Sequence, residues 1–162
     1  MLLSVLEGFV LCFVLLLVCV LNIRNGPVGG VHYYEPPVRQ RVVDLGLITE
    51  AQIRRNRLWS GLALLGAILA LAPLMVFGVN GARRFGEGFA QLSAQYIVCW
   101  AFDRAFIDWY WVGHTQAWVI PGTEDLMPYI HRKSWIVKLF GGLILYLALA
   151  ALLAWLCAAL VA

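Results

Sequence analysis

Charged residues are scarce in this chain. They make up 13% of its 162 residues, whereas 62% of the residues are apolar, and soluble domains carry charge at about a quarter of their positions. This composition excludes an ordinary soluble domain. The mean hydropathy of +0.82 instead predicts a protein that places most of its length in lipid.

Paired cysteines and a continuous basic surface are also lacking. The four cysteines lie inside apolar runs without paired spacing, which predicts small buried side chains rather than disulfides or a metal cage; they are Cys12, Cys19, Cys99 and Cys157. The formal net charge is only +3, and the basic residues flank apolar runs. We therefore expect no nucleic-acid partner.

Four apolar stretches are long enough to cross a membrane, since a helix needs about 20 residues to pass the hydrocarbon layer. They cover residues 1–21, 58–79, 89–112 and 135–161. In lipid, backbone groups find partners most economically within a helix. The sequence therefore predicts an all-α fold, a polytopic four-helix transmembrane bundle forming a single membrane domain, with loops at residues 22–57 and 113–134.

The basic residues predict the orientation of these spans. Nine of them lie in or beside the two larger loops: Arg24, Arg39, Arg41, Arg54, Arg55, Arg57, Arg132, Lys133 and Lys138. The short connection between spans two and three holds only Arg83 and Arg84. Because cytoplasmic loops are enriched in Lys and Arg, we expect both larger loops in the cytoplasm and both termini outside it.

The first loop has two parts. The run from Asn25 to Gly30 and the sequence Glu35-Pro36-Pro37 predict turns without a regular helix. Thr49 then predicts a helix start at Glu50, with Gln52 completing a capping box. This helix leads into span two, so it is expected to project from the membrane.

Three arginines stand at the entrance to span two. Arg54, Arg55 and Arg57 either anchor the topology or bind a phosphate or lipid headgroup, because basic side chains near an anionic surface each contribute about 1 kcal/mol. Membrane lipids are the expected partners in both cases.

The second loop is long for a compact protein, which is typical of functional or disordered segments. Its many apolar residues favour an ordered lid over disorder. Pro121-Gly122 suits a type II turn, and Thr123 can cap a short turn that begins with Glu124 and Asp125. The two carboxylates therefore have either a capping role or a role in binding.

Span three carries an ionisable cluster, Asp103, Arg104 and Asp108. The helical rise places Asp103 about 14 Å from the cytoplasmic end of the span. Ionisable groups at that depth are expected to face the bundle interior and to be paired. Arg104 and Asp108 are four residues apart and predict an ion pair, whereas Asp103 points elsewhere and needs another partner.

His114 follows the cluster where span three leaves the membrane. Histidine is a common proton carrier in catalysis, and Asp108 and His114 are the candidate catalytic acid or base. Glu124 or Asp125 would orient the histidine or a cation. Asp108, His114, Glu124 and Asp125, with His131, carry metal-ligand atoms but no recognised spacing, so metal and cofactor binding stay open.

Two segments carry a resemblance. Asp108 to Thr115, DWYWVGHT, followed by Ile120 to Leu126, IPGTEDL, resembles a segment of uncharacterised small bacterial integral membrane proteins. The resemblance covers about a fifth of the chain. It implies a prokaryotic plasma membrane, and it carries no activity and no site residues.

Three functions remain open from the sequence. The first is a site for a lipid-like or anionic ligand or substrate at the cytoplasmic end of span three, with Asp103, Arg104, Glu124, Asp125 and the three entrance arginines binding it. The second is a noncatalytic accessory or assembly subunit that docks a membrane partner. The third is a small transporter, which with so few spans requires a homo-oligomer. Whether the protein is an enzyme stays open.

Overall fold

The computed structural model describes residues 1–161, and within this range the chain forms helices and turns without any strand. Helix α1 spans Leu2–Ile23, α2 spans Pro36–Asp44 and α3 spans Glu50–Val79; α4 is α-helical over Phe85–Phe102 and π-helical over Asp103–Val112; α5 spans Arg132–Val161. The predicted all-α class is confirmed.

Three of these helices are long and apolar enough to cross a membrane: Leu2–Ile23, Glu50–Val79 and Arg132–Leu160. Helix α4 is more polar, because amide and ionisable side chains interrupt its apolar sequence. It packs mainly between α1 and α5, and the end of α3 also contacts it. The most polar long helix is thus covered by the apolar ones.

Apolar side chains form two buried clusters along this bundle. One lies between the helices and includes Leu11, Ala72, Val76, Leu92, Tyr96, Ala150 and Ala154. The other joins the helices to both large loops and includes Cys19, Val31, Tyr34, Val42, Ile107, Trp118, Ile120 and Tyr129. The four cysteines are free thiols, of which three are buried and Cys157 is partly exposed.

The first loop is more helical than its sequence predicts. Pro27–Tyr33 forms a 3-10 helix, and α2 begins at Pro36, so the prediction of turns without a regular helix is wrong. The prolines occupy the first positions of α2, where a helix needs no backbone donor and where a fixed φ is favourable. The capping box between Thr49 and Gln52 is confirmed.

The second loop folds back onto the bundle as the predicted ordered lid. Trp118, Ile120 and Tyr129 are almost fully buried. The Tyr34 hydroxyl donates to the Trp118 carbonyl oxygen at 2.8 Å, which ties the first loop to the second. Gly122 has a φ of +84°, as the third residue of a type II turn requires.

Helices α1 and α4 approach each other closely at Gly8. A Cβ atom at this position would lie 2.9 Å from the Val98 Cβ and 3.1 Å from the Gln95 carbonyl oxygen. Neither atom is the end of a flexible side chain, so the two backbones would have to separate. Small residues permit such approaches between helices in membranes.

We expect Gly8→Ala to lower the stability of the folded protein by about 1–3 kcal/mol, the usual effect of overpacking a well-packed interface. Gly61→Ala is the control, because Gly61 lies inside α3 with nothing within 4 Å of the added atom, and alanine favours helix there. Thermal unfolding in detergent measures both. Equal melting temperatures for the two variants would contradict the close approach.

His32 belongs to the 3-10 helix of the first loop. It is buried, with 9% of its surface exposed. Burial lowers the pKa of its imidazole to about 4, and the charge of the nearby Arg57 acts in the same direction. The neutral form is therefore favoured in the folded protein. The unfolded chain takes up a proton below about pH 6.5, so the stability that His32 contributes above that pH is lost as the pH falls towards 4.

We expect His32→Gln to flatten the loss of stability between about pH 6.5 and 4.5. The difference between a pKa of 6.5 in the unfolded chain and about 4 in the folded protein corresponds to roughly 3 kcal/mol of stability, which is lost in full once His32 is protonated in both states. His131→Gln is the control, since the side chain of His131 is 60% exposed. Melting temperatures measured across this pH range provide the test, and an unchanged slope in His32→Gln would refute the assignment.

Candidate functional site

A partly enclosed cavity of about 250 Å³ lies between the helices and the two large loops. Its apolar walls come from α1, α3 and α4 and include Leu11, Leu15, Leu64, Ala67, Ile68 and Ile107. Its polar lining includes Asp103, Arg104, Asp108, Lys138, Tyr33, Tyr34 and Tyr146. The cavity is thus amphiphilic, with apolar walls and a charged section on α4.

The ionisable cluster of α4 lies in this cavity. The side chains of Asp103, Arg104 and Asp108 are 19%, 14% and 10% exposed, respectively. One nitrogen of the Arg104 guanidinium contacts the Asp103 carboxylate, and the other contacts the Asp108 carboxylate. Two carboxylates therefore share one guanidinium, and the cluster carries one net negative charge when all three groups are ionised.

The predicted ion pair between Arg104 and Asp108 is present, but the expectation that Asp103 needs a different partner is wrong. A guanidinium presents donors from several nitrogens in a planar fork, and that fork reaches both neighbours. The π-helical winding of this segment also departs from the α-helical angles on which the expectation depended.

A second, more open groove of about 510 Å³ adjoins the cavity. Asp108, Val112 and Ile130 line both spaces, so Asp108 stands where they meet. The groove also runs along Trp109, His114, Pro128, Tyr129, Arg132 and Trp135. Asp108 and His114, the two candidate catalytic residues, therefore face the same groove.

His114 is held in one orientation by its own helix. Its Nδ1 atom lies 2.6 Å from the Trp109 carbonyl oxygen, and its ring packs on Trp109 with 4.8 Å between centroids. A carbonyl oxygen only accepts hydrogen bonds, so Nδ1 carries the proton in the neutral ring and Nε2 keeps its lone pair. The imidazole can thus act as a base through Nε2.

The acids of the second loop lie elsewhere. Asp125 forms an exposed ion pair with Arg41 of α2 at 3.3 Å, and a Glu124 carboxylate oxygen accepts from the Gly122 backbone N–H at 2.8 Å. The Thr123 hydroxyl donates to the Ile120 carbonyl oxygen instead of capping the turn. Asp125 thus links the second loop to α2, Glu124 bonds within its own turn, and in the described part of the chain neither carboxylate is hydrogen-bonded to His114.

The entrance arginines form a separate basic groove. Arg54 and Arg57 line it together with Arg39, while Glu50 provides the one acid of its lining. All three predicted arginines are exposed, and Arg55 lies outside this lining. The structure therefore does not bring the entrance arginines into the cavity.

Several residues that line the cavity are not identifiable as site residues from the sequence. Lys138 and Tyr146 of α5, and Tyr33 and Tyr34 of the first loop, contribute polar atoms from distant parts of the chain. In the sequence they are indistinguishable from interfacial tyrosines and a flanking lysine. Among residues 1–161, no group of three or more His, Cys, Asp or Glu side chains is placed to hold a metal ion.

Comparison of the chain with protein-family models, with curated proteins and with solved structures finds no match. The site must therefore be interpreted from its own geometry.

Arg104 should contribute more to stability than any exposed ion pair. We expect Arg104→Gln to destabilise the protein by about 3–5 kcal/mol, because it removes the basic side chain that contacts two largely buried carboxylates. The control is Arg41→Gln, which breaks the exposed pair with Asp125 and should change stability by about 0–1 kcal/mol. Unfolding in detergent compares them, and similar losses would contradict the shared guanidinium.

Proposed function

We propose that the chain is a four-span integral membrane protein of a prokaryotic plasma membrane, with both termini outside the cytoplasm. Three helices have the required length and apolarity, and α4 supplies the fourth span under their cover. Large apolar side chains are exposed along the outer helices, among them Leu3, Phe13, Leu62, Val137, Ile144, Leu145 and Trp155. Lipid is the environment that such a surface fits.

We further propose that the cavity binds a lipid-like, amphiphilic molecule. The single observation that carries this proposal is the joining of apolar walls to a charged section in one space. The cavity and the groove next to it together reach the roughly 300–1,000 Å³ of typical small-molecule sites. The apolar walls would hold alkyl groups, and the α4 cluster would hold the polar head.

The charges favour a polar or zwitterionic head over a simple anion. Arg104 is already engaged by two carboxylates, and Lys138 supplies the second basic group of the lining. Two acids and two bases balance one another, so an anion would meet the carboxylates as well as the cations. The lipid-like alternative is therefore favoured over the anionic one.

If the bound molecule is a substrate, Asp108 and His114 are the acid and base that would act on it. Both line the open groove, and Nε2 of His114 has the free lone pair that a general base requires. A polar head that extends from the cavity past Asp108 into the groove would meet both side chains.

The alternatives fit the geometry less well. For an accessory subunit, the aromatic second loop would dock a partner, yet Trp118 and Tyr129 of that loop are buried in this chain. For a transporter, the polar stripe of α4 would line a path, yet Gln91 and Gln95 of that stripe are engaged by Asn80 and Glu7. A homo-oligomer or a protein partner would have to use other surfaces.

Filling the cavity should remove the bound molecule. Ala67 is buried and lines the cavity, so we expect Ala67→Phe to occupy space that the alkyl group needs. Ala70→Phe is the matched control, because Ala70 lies on the same helix and is exposed. Native mass spectrometry of protein extracted in nanodiscs should show a bound amphiphile in wild type and control and none in Ala67→Phe.

Equal occupancy of all three proteins, or a wild type without any bound molecule, would refute the proposal. His114→Ala then separates binding from chemistry. It leaves the cavity intact, so the bound molecule should remain. If His114 acts in a reaction, the molecule bound to this variant should differ in mass from the one bound to the wild type.

A further inference from the structure

The basic groove is a concave surface separate from the amphiphilic cavity and from the open groove beside it. It has a volume of about 350 Å³ and lies between α2 and the beginning of α3. Arg39 of α2 lines it together with Arg54 and Arg57 of α3, and none of the three lines the other two spaces. Guanidinium groups from two helices therefore border one opening.

Apolar packing fixes the two walls of the basic groove. Val42 of α2 and Ile53 of α3 are buried in the same apolar cluster. Arg54 and Arg57 are three residues apart and so lie on one face of α3, whereas Arg55 is outside the lining. The relative position of the basic side chains thus follows from the fold and does not require a ligand.

The positive charge of the basic groove is not neutralised by the described part of the chain. None of its three arginines forms an ion pair within residues 1–161, although Glu50 shares their lining. Arg41, also on α2, does form one, with Asp125 of the second loop. The Nε atom of Arg39 is buried without a hydrogen-bond acceptor, which is uncommon for a buried donor. Three guanidinium groups and one carboxylate give the lining a net charge of +2.

We propose that the basic groove binds a phosphate group, carried either by a membrane lipid or by a soluble phosphate compound. The planar fork of a guanidinium matches phosphate oxygens with two parallel N–H donors. A phosphate monoester carries up to two negative charges near neutral pH, which balances the net charge of the lining. Its three terminal oxygens can accept from donors on both walls, whereas the two oxygens of a carboxylate lie in one plane.

The position of the groove along α3 makes it accessible to both sources. Leu58 and Trp59 follow Arg57 directly, and their side chains are 61% and 68% exposed. With the membrane placement proposed above, the apolar run that begins there enters the bilayer, so the groove lies near the level of the lipid headgroups. A lipid phosphate reaches it from the bilayer surface, and a soluble phosphate compound reaches it from the water.

Thermal unfolding of the purified full chain in a neutral detergent tests the proposal with two probes. Phosphatidic acid is the lipid probe and inorganic phosphate is the soluble probe, each compared with chloride at constant pH and ionic strength. A ligand that binds only the folded protein raises the melting temperature, and the rise saturates as the site fills. We expect such a rise with at least one probe. A rise with phosphatidic acid alone identifies a lipid headgroup, and a rise with inorganic phosphate identifies a soluble phosphate compound.

Substitutions locate the bound phosphate. Arg39→Gln should raise the half-saturating concentration of the probe by about tenfold or more, because a charge-assisted hydrogen bond is lost. Arg54→Gln should have the same effect, and it decides the matter if Arg39→Gln fails to fold, since Arg54 is exposed. Arg55→Gln is the matched control. It removes the same charge from the next residue of the same helix but lies outside the lining, so the half-saturating concentration should stay the same.

Four results would overturn the proposal. The first is the absence of a rise with both probes, and the second is a loss of affinity in Arg55→Gln equal to that in Arg54→Gln. The third is a rise with oleate, an anionic lipid without phosphate, that saturates at the same concentration as the rise with phosphatidic acid. The fourth is a rise that Ala67→Phe abolishes, because this variant fills the amphiphilic cavity and leaves the basic groove unchanged.

Discussion

Helix α4 must place two carboxylates, a guanidinium and two amides inside a bundle whose other long helices contain long apolar stretches. The arrangement of those helices depends on this constraint. Burial of an unpaired charge is unfavourable by several kcal/mol, so the polar stripe of α4 has to face protein. It does so between α1 and α5, where Arg104 joins Asp103 to Asp108 and where Gln95 donates to Glu7. The apolar helices then present their outward faces to the surroundings.

The two polar clusters of the bundle differ in how their charge is compensated. In the α4 cluster a basic side chain lies between two acids, and Lys138 adds a second basic group to the cavity lining. In the second cluster the Glu7 carboxylate accepts hydrogen bonds from the side-chain amides of Asn80 and Gln95. The charges of the first are therefore nearly balanced, whereas in the second no basic side chain among the described residues pairs with the carboxylate.

The two large loops complete the amphiphilic cavity because their side chains pack against the helices and against each other. Tyr34 bonds to the backbone at Trp118, and Tyr129 bonds to the backbone at Ile120, so the first and second loops form one layer over the ends of the helices. Tyr33 and Tyr34 thereby reach the cavity from one loop, and Trp118 and Ile130 reach it from the other. The same packing leaves His114 at the outer groove, while Glu124 and Asp125 remain at the edge of the lid.

The sequence alone determined the helical class, the four long segments, the Thr49 cap and the burial of the α4 charges, because apolar run length, capping chemistry and the penalty for burying charge are local properties. From the sequence we expected a partner other than Arg104 for Asp103, turns in place of α2, and a site that joined Glu124, Asp125 and the entrance arginines to His114. Only the tertiary structure decided that Arg104 serves both aspartates, that Tyr146 and Lys138 complete the cavity, and that Asn80 and Gln95 surround Glu7. The physical reason is that these contacts join residues far apart in the chain, so their distances follow from helix packing and not from sequence spacing.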